Sequence, residues 1–464
     1  MPTPILFGRR NSIKIKDMKI ATQLSIVLFF VVTGVLLITM NSRNLIDYSL
    51  HHMLVEAVAE RRIVNLGGSY SQHLQPNGDV LTYQGKVYPI KQPGIGIIGG
   101  MLYLPLSKLG IKYSTDYLHS SGWVTLWTTI IPSALIAVII FFITFKITKK
   151  YRSSMLIGAG VILTTTMLPY SNFPHHDTVA MLPLYWAIHC LLEGYITRKE
   201  KSRRDYVFYA GVLLGFSFFF SMLPLSFIPS LGIIVLWSFG FKETIKFASG
   251  GFLGIIPSLM YNYFVLGGLL HFPNLMGSSV DTIPSLSINQ IYYLGRYIFQ
   301  PGLSIILFAP LAVLGLYRTI VATPKTDYEY ILKRIVLLCT VFFLFHLSSF
   351  ETEGDLQYGP RYLLPLIPLW FLGLRDLLDK RYLRLVLMVL GLYGFGINIL
   401  GALYGAMYKY ITVFPLSTYY SYLTNPTQIS YPFRSAGYIF TALAIVLLIF
   451  TYYRMSYDKK ILKK

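Results

Sequence analysis

Cysteine is almost absent: Cys190 and Cys339 are the 2 in 464 residues, and both fall inside long apolar runs. That excludes a disulfide framework and argues against a cysteine-ligated zinc site. Acidic residues are scarce too, 20 against 40 lysines and arginines, and charged residues of all kinds make up only 13% of the chain. So little charge cannot cover the surface of a soluble domain of this length. With 54% hydrophobic residues and a mean hydropathy of +0.56, the chain carries more apolar surface than a soluble core can hide. Low-complexity tracts, internal repeats and a detached polar domain are also missing, so residues 1–464 read as one transmembrane domain.

What the sequence does have is apolar runs from end to end. In hydrocarbon such runs satisfy their backbone only as helices, which predicts an all-α polytopic membrane protein of about twelve spans. They fall near residues 20–40, 122–146, 153–171, 177–196, 206–222, 225–241, 247–267, 301–318, 332–349, 362–376, 384–405 and 436–453. A net charge of +20 raises nucleic acid as a partner, but the basic residues cluster in short segments between spans, where they orient helices. Arg198, Lys199, Lys201, Arg203 and Arg204 form one such cluster. Placing the clusters on the cytoplasmic side puts both termini inside and the long loops outside, in the cell membrane. The first apolar run lacks a small-residue cleavage site and reads as a retained anchor.

The outer side holds the unusual segments. Residues 41–121 form a long first extracytoplasmic loop, in which 94–105 is apolar, too short to cross a bilayer and flanked by Lys91 and Lys108. It reads as an interfacial helix. Asp47 stands just beyond the first span, either a solvated helix-start acid or a general base at the membrane surface. Further on, Gly78 and Gly85 punctuate short extended pieces carrying Asp79 and Tyr88. Lys91 stands at headgroup depth, where a lysine either snorkels or pairs with a lipid phosphate.

Two shorter outer segments carry further chemistry. In the first, His175, His176 and Asp177 stand in succession at a membrane boundary, where titratable groups are costly without partners. Asp177 reads as a sugar or acceptor contact or as a helix cap, and adjacency alone is weak evidence for a metal, so a divalent cation stays open and no metal ligand is assigned. In the second, Tyr358-Gly359-Pro360-Arg361-Tyr362 opens a Leu/Pro-rich span after Glu351, Glu353 and Asp355. Arg361 either grips phosphate oxygens in a fork or bridges one of those acids.

Taken in order, the acid after the first span, the stretch from Gly85 through Lys91 to Gly94, the His176-Asp177 helix start and the Tyr358–Tyr362 motif resemble the membrane glycosyltransferases of the C-type fold. The resemblance is to the branch with protein O-mannosyltransferases and aminoarabinose transferases, and covers residues 20–375. It implies transfer of a hexose or pentose, with inversion, from a polyprenyl-phosphate donor to a lipid, glycan or protein acceptor on the extracytoplasmic face. By the same resemblance Asp47 and Asp177 are catalytic acids, and Lys91 and Arg361 bind the donor phosphate. Asp79, Tyr88, His175, His176, Tyr358 and Tyr362 are then substrate contacts. The family acid is often followed by a second acid, whereas Tyr48 follows Asp47, which leaves Asp79 a rival base. A secondary transporter, or a flippase or ligase of lipid-linked saccharides, shares the helical plan, but a transporter gathers its charges at the midplane.

Overall fold

The computed structural model describes residues 15–40, 49–71, 74, 79–197, 205–277, 289–349, 358–404 and 433–461. Among these, 7 helices are long and apolar enough to cross a membrane: Asp17–Ile38, Tyr117–Thr148, His176–Thr197, Phe241–Leu266, Asp327–Ser348, Arg381–Leu403 and Arg434–Tyr452. Shorter apolar helices run over Tyr151–Leu163, Tyr206–Ser217, Leu223–Phe239 and Pro310–Val321. The run expected near 362–376 is helical but broken into Arg361–Leu366, Ile367–Phe371 and Leu372–Asp379, the first and last wound as 3₁₀ turns. Pro365 and Pro368 each remove a backbone donor there and prevent a continuous α-helix. In the same way the run near 301–318 stops at Ala309 and restarts at Pro310.

Helix contacts in lipid depend on close packing rather than on hydrophobic exclusion, and small residues permit it. Tyr206–Ser217 lies against Phe241–Leu266 through Gly211, Gly215, Gly250 and Gly254. A Cβ on Gly254 would stand 2.7 Å from the Phe216 backbone nitrogen. The first helix, Ile15–Ile38, packs on Arg434–Ile461 through Gly34 and Gly437, where a Cβ on Gly437 would lie 2.9 Å from the Gly34 carbonyl oxygen. The outer faces of these helices stay apolar and exposed, as at Phe252, Leu253, Met260 and Phe264. His176–Thr197 is the most enclosed of the seven spans.

The segment between the first two spans departs from an all-α plan. Val80–Tyr83 and Lys86–Pro89 form an antiparallel hairpin, with Leu81 opposite Tyr88 and Thr82 opposite Val87. Gln84 and Gly85 both take positive φ, 49° and 74°, the turn whose twist matches a two-residue hairpin. β-branched Val80, Thr82 and Val87 favour the extended pieces. The expected interfacial segment is the helix Gly94–Lys108, whose Met101 and Leu102 are exposed while Gly96, Gly99 and Gly100 are buried. It packs on Ser49–Glu56 and the turn Ala57–Arg61 that continues it, where Gly96 meets Leu54 and Gly100 meets Val58.

Two carboxylates, Glu56 buried and Glu60 half-buried, tie this loop together. Glu56 accepts from Ser69 Oγ (2.6 Å) and the Tyr70 backbone N–H (2.8 Å), with Arg61 3.8 Å away. Burial pushes the Glu56 carboxyl above its usual range, against the pull of those donors and of Arg61. Glu60 accepts from Tyr103 Oη (2.8 Å) and the Tyr113 backbone N–H (3.1 Å).

The glycine seam gives a direct prediction. Gly254→Leu wedges two helices apart and destabilises the bundle by about 1–3 kcal/mol, as overpacking does. Thermal unfolding in detergent should show a lowered midpoint relative to the parent, whereas Gly232→Leu, at a position with open space around it, should leave it in place.

Candidate active site

The enclosed helix His176–Thr197 opens on His176 and Asp177, directly after His175, and its first turn carries a dense polar cluster. The segment before it is pinned on both sides. Asn172 Nδ2 donates to the Thr39 carbonyl and to Thr39 Oγ1, both at 3.0 Å, which fixes it to the end of the first span. Thr178 Oγ1 donates to the Tyr170 carbonyl (3.1 Å) and pairs with His175 Nδ1 (3.1 Å), closing the turn from within.

Asp177 is 2% exposed and accepts from Ser221 Oγ at 2.6 Å. Its partner is therefore a side chain from another helix junction, not a backbone N–H of its own helix. His176 Nε2 stands 3.5 Å from Asp177 Oδ1 and His175 Nε2 stands 3.8 Å from Oδ2. Asp177 Oδ2 accepts no hydrogen bond among the described residues. The Ser221 junction is held by Gly94, whose N–H donates to the Phe219 carbonyl at 2.9 Å. A Cβ on Gly94 would sit 2.5 Å from that oxygen, so only glycine lets the interfacial helix start against this loop.

Lys91, three residues before Gly94, forms an ion pair with Asp79 at 3.3 Å across the foot of the hairpin. Asp79 is thus engaged with the lysine, and its side chain is 52% exposed. Tyr88 turns away, packing with Leu81, Tyr261 and Leu266. Arg361 arrives from the far end of the chain through Gly359, at φ 64°, where a Cβ would lie 2.8 Å from the Phe308 ring. Its guanidinium is buried, donates to Tyr362 Oη (3.0 Å) and lies 4.7 Å from the Tyr362 ring. Tyr297, from the helix Asn289–Phe299, is near enough to interact with both. Tyr358 is fully buried: its ring meets Phe308, its hydroxyl donates to the Ile397 carbonyl, and its N–H donates to Tyr170 Oη (2.7 Å).

The charges of Arg361 and Lys91 both reach His175. Lys91, His175, His176, Asp177 and Arg361, drawn from three distant stretches, therefore share one electrostatic neighbourhood. Asp47, Glu351, Glu353 and Asp355 lie outside the described residues, and so does Gly78. Among the described residues no group of three or more His, Cys, Asp or Glu is arranged to hold a metal ion.

One member escaped the sequence reading. His51, buried on the helix Ser49–Glu56, places Nε2 3.4 Å from His176 Nδ1, with ring centroids 5.5 Å apart. The signal was a second histidine pair, His51-His52, four residues after Asp47. The two histidines divide: His52 Nδ1 pairs with Tyr113 Oη at 2.7 Å, outside the cluster. Burial drives the His51 and His175 imidazoles well below the usual histidine range, and each is lowered further by His176. His52 is pushed down to about 3, again mainly by burial.

No protein-family model and no curated protein sequence matches the chain. Among solved structures it is similar to ArnT from Cupriavidus metallidurans bound to undecaprenyl phosphate, at 11% identity and a TM-score of 0.49, over 94% of this chain and 76% of that one. ArnT in the apo state aligns at 14% identity and a TM-score of 0.49, covering 90% and 68%. The oligosaccharyltransferase of Archaeoglobus fulgidus, in complex with zinc and sulfate, aligns at 12% identity and 0.47, covering 87% and 59%. ArnT is an aminoarabinose transferase, and both proteins are glycosyltransferases of the C-type fold.

Three imidazoles buried in neutral form make stability depend on pH. In the fold His51, His52 and His175 resist protonation, while in the unfolded chain they titrate near 6.5, so the unfolded state binds more protons below that value. Stability therefore rises with pH through this window and falls on acidification. Glu56, raised from 4.5, acts in the opposite sense at lower pH. The thermal midpoint in detergent should drop between pH 7.5 and 5.5; a midpoint that rises on acidification contradicts the neutral burial of these rings.

Proposed function

We propose that this chain is a membrane glycosyltransferase that moves a sugar from a polyprenyl-phosphate donor to an acceptor on the extracytoplasmic face, with inversion at the anomeric carbon. The observation that carries the reading is the gathering of Lys91, Arg361 and the His175–Asp177 turn from three separate segments at the outer end of the most enclosed span. Two cations and buried acid–base groups meeting at a bilayer edge suit a substrate with an anionic head on a lipid tail. Such a tail leaves the bilayer at a cost of about 0.8 kcal/mol per methylene, so the chemistry has to take place at the membrane. Undecaprenyl phosphate is a lipid of this class.

In this scheme the acceptor oxygen or nitrogen attacks the anomeric carbon from the face opposite the phosphate. The new bond to the sugar forms as the carbon–oxygen bond to phosphate breaks, and its electron pair leaves with the lipid phosphate. Lys91 exchanges Asp79 for a phosphate oxygen, and Arg361 takes the others through its fork. Asp47 removes the acceptor proton, and Asp177, held by Ser221, fixes the polar side of the pocket. Acceptors are recognised by the hairpin and the helix Gly94–Lys108, which adjoin Lys91 and the Ser221 junction. Both termini lie in the cytoplasm.

The test is direct: purified protein is incubated with labelled polyprenyl-phosphate sugars, hexose and pentose, with and without divalent cations. Transfer to water or an added acceptor, with release of the polyprenyl phosphate, is expected. Lys91→Ala and Arg361→Ala should each raise the donor KM by about tenfold or more, the loss of one charge-assisted contact being worth about 1.5–3 kcal/mol. Asp47→Asn and Asp177→Asn should instead lower kcat by about 10²–10⁴. Passage of the lipid across vesicles without bond cleavage would turn the reading toward a flippase.

A further inference from the structure

Resting on that reading, we propose that Gln92, Ser171 and Asn172 form, with Asp177, a subsite for the sugar ring of the donor, and that it takes an uncharged sugar bearing hydroxyls. All four side chains are buried, Ser171 and Asn172 completely. Among the described residues, Gln92 Nε2 and Oε1, Ser171 Oγ, Asn172 Oδ1 and Asp177 Oδ2 nevertheless make no hydrogen bond. Burying an amide or hydroxyl without a partner costs free energy, and folded proteins rarely leave several such atoms in one place. A bound sugar supplies the partners.

The four residues come from two segments that meet. Ile95, three residues after Gln92, packs on Val179 and Ala180, which follow Asp177 closely in the helix His176–Thr197. On one side of Gln92 stands Lys91, whose charge acts on Asp177. On the other stands Gly94, whose N–H holds the Phe219 carbonyl of the loop that sends Ser221 to the same carboxylate. Ser171 and Asn172 lie in the turn that Thr178 closes on Tyr170, with the Tyr170 and His175 rings 4.7 Å apart. The orientation of Asn172 is settled by its partner: a backbone carbonyl only accepts, so the atom that meets Thr39 is Nδ2, and Oδ1 is left over.

The chemistry of these atoms selects the ligand. Gln92 Nε2 is a donor that needs an acceptor, Asn172 Oδ1 and Asp177 Oδ2 are acceptors that need donors, and Ser171 Oγ serves as either. Sugar hydroxyls donate and accept at once and answer all of them. An ammonium only donates, and here it would stand in the field of Lys91 and Arg361. The two cations thus serve the phosphate, and the neutral groups serve the ring attached to it.

The subsite is tested by equilibrium binding of four lipids to the purified protein: undecaprenyl phosphate, its glucose and arabinose esters, and the amino-deoxyarabinose ester. The parent should bind a neutral ester more tightly than the bare phosphate, and the arabinose ester more tightly than the amino-sugar ester. Gln92→Met and Ser171→Ala should each weaken the neutral ester about fivefold or more, the loss of one hydrogen bond, with undecaprenyl phosphate bound as before. Neither side chain has an internal hydrogen bond to lose, so the ligand-free thermal midpoint should hold or rise, which a structural role would not allow. Parental affinity for the neutral ester in either folded variant, no gain from the sugar in the parent, or a preference for the amino-sugar ester overturns the subsite and leaves the transferase reading intact. A parent that binds none of the four lipids overturns the transferase reading, and the subsite with it. Should Gln92→Met fail to fold, Ser171→Ala decides alone.

Discussion

An ionisable group inside an apolar bundle must be compensated, and the arrangement around Asp177 is dictated by that requirement. The carboxylate sits at the first turn of the most enclosed span, with almost no exposure. Water cannot solvate it, so the protein supplies Ser221 as donor, two imidazoles within 4 Å and the fields of Lys91 and Arg361. Each of these needs its own support: the close approach of Gly94 to Phe219 for Ser221, the hairpin and Asp79 for Lys91, the Gly359 turn for Arg361.

The same logic separates site from scaffold in the segment between the first two spans. Glu56 is also a buried acid and Glu60 a half-buried one, yet their oxygens are met by Ser69, the Tyr70 and Tyr113 backbone and Tyr103. They fix the helix that carries His51 at a set height above the interfacial helix. Asp177 differs in having one oxygen without a hydrogen bond among the described residues, beside groups of opposite and switchable charge. Compensation is complete around Glu56 and Glu60, whereas at Asp177 it is left one contact short.

Much of this was legible because membranes simplify a sequence. Apolar runs marked helical segments throughout, and Lys91, His175, His176, Asp177 and Arg361 stood out as polar residues at span ends. What the runs could not convey was their interruption: Pro365 and Pro368 turn one expected span into short 3₁₀ and α pieces, and Thr164 ends a helix with no proline to announce it. The hairpin was half visible, in Gly85, but pairing needs a register that only the turn at Gln84 and Gly85 settles. Ser221 was invisible because a lone serine after Phe218-Phe219-Phe220 carries no pattern. His51 was missed for a different reason: its meaning lies in His176, 125 positions away in the chain.

The central claim is that cations from separate segments close on a lipid phosphate at the outer end of His176–Thr197. The most direct measurement is a structure of the protein in lipid nanodiscs with a polyprenyl phosphate bound. The account predicts the phosphate within about 4 Å of both Lys91 Nζ and the Arg361 guanidinium, with the Lys91–Asp79 pair opened. A phosphate seated at another edge of the bundle, with Lys91 still on Asp79 and Arg361 remote from the lipid, would contradict it.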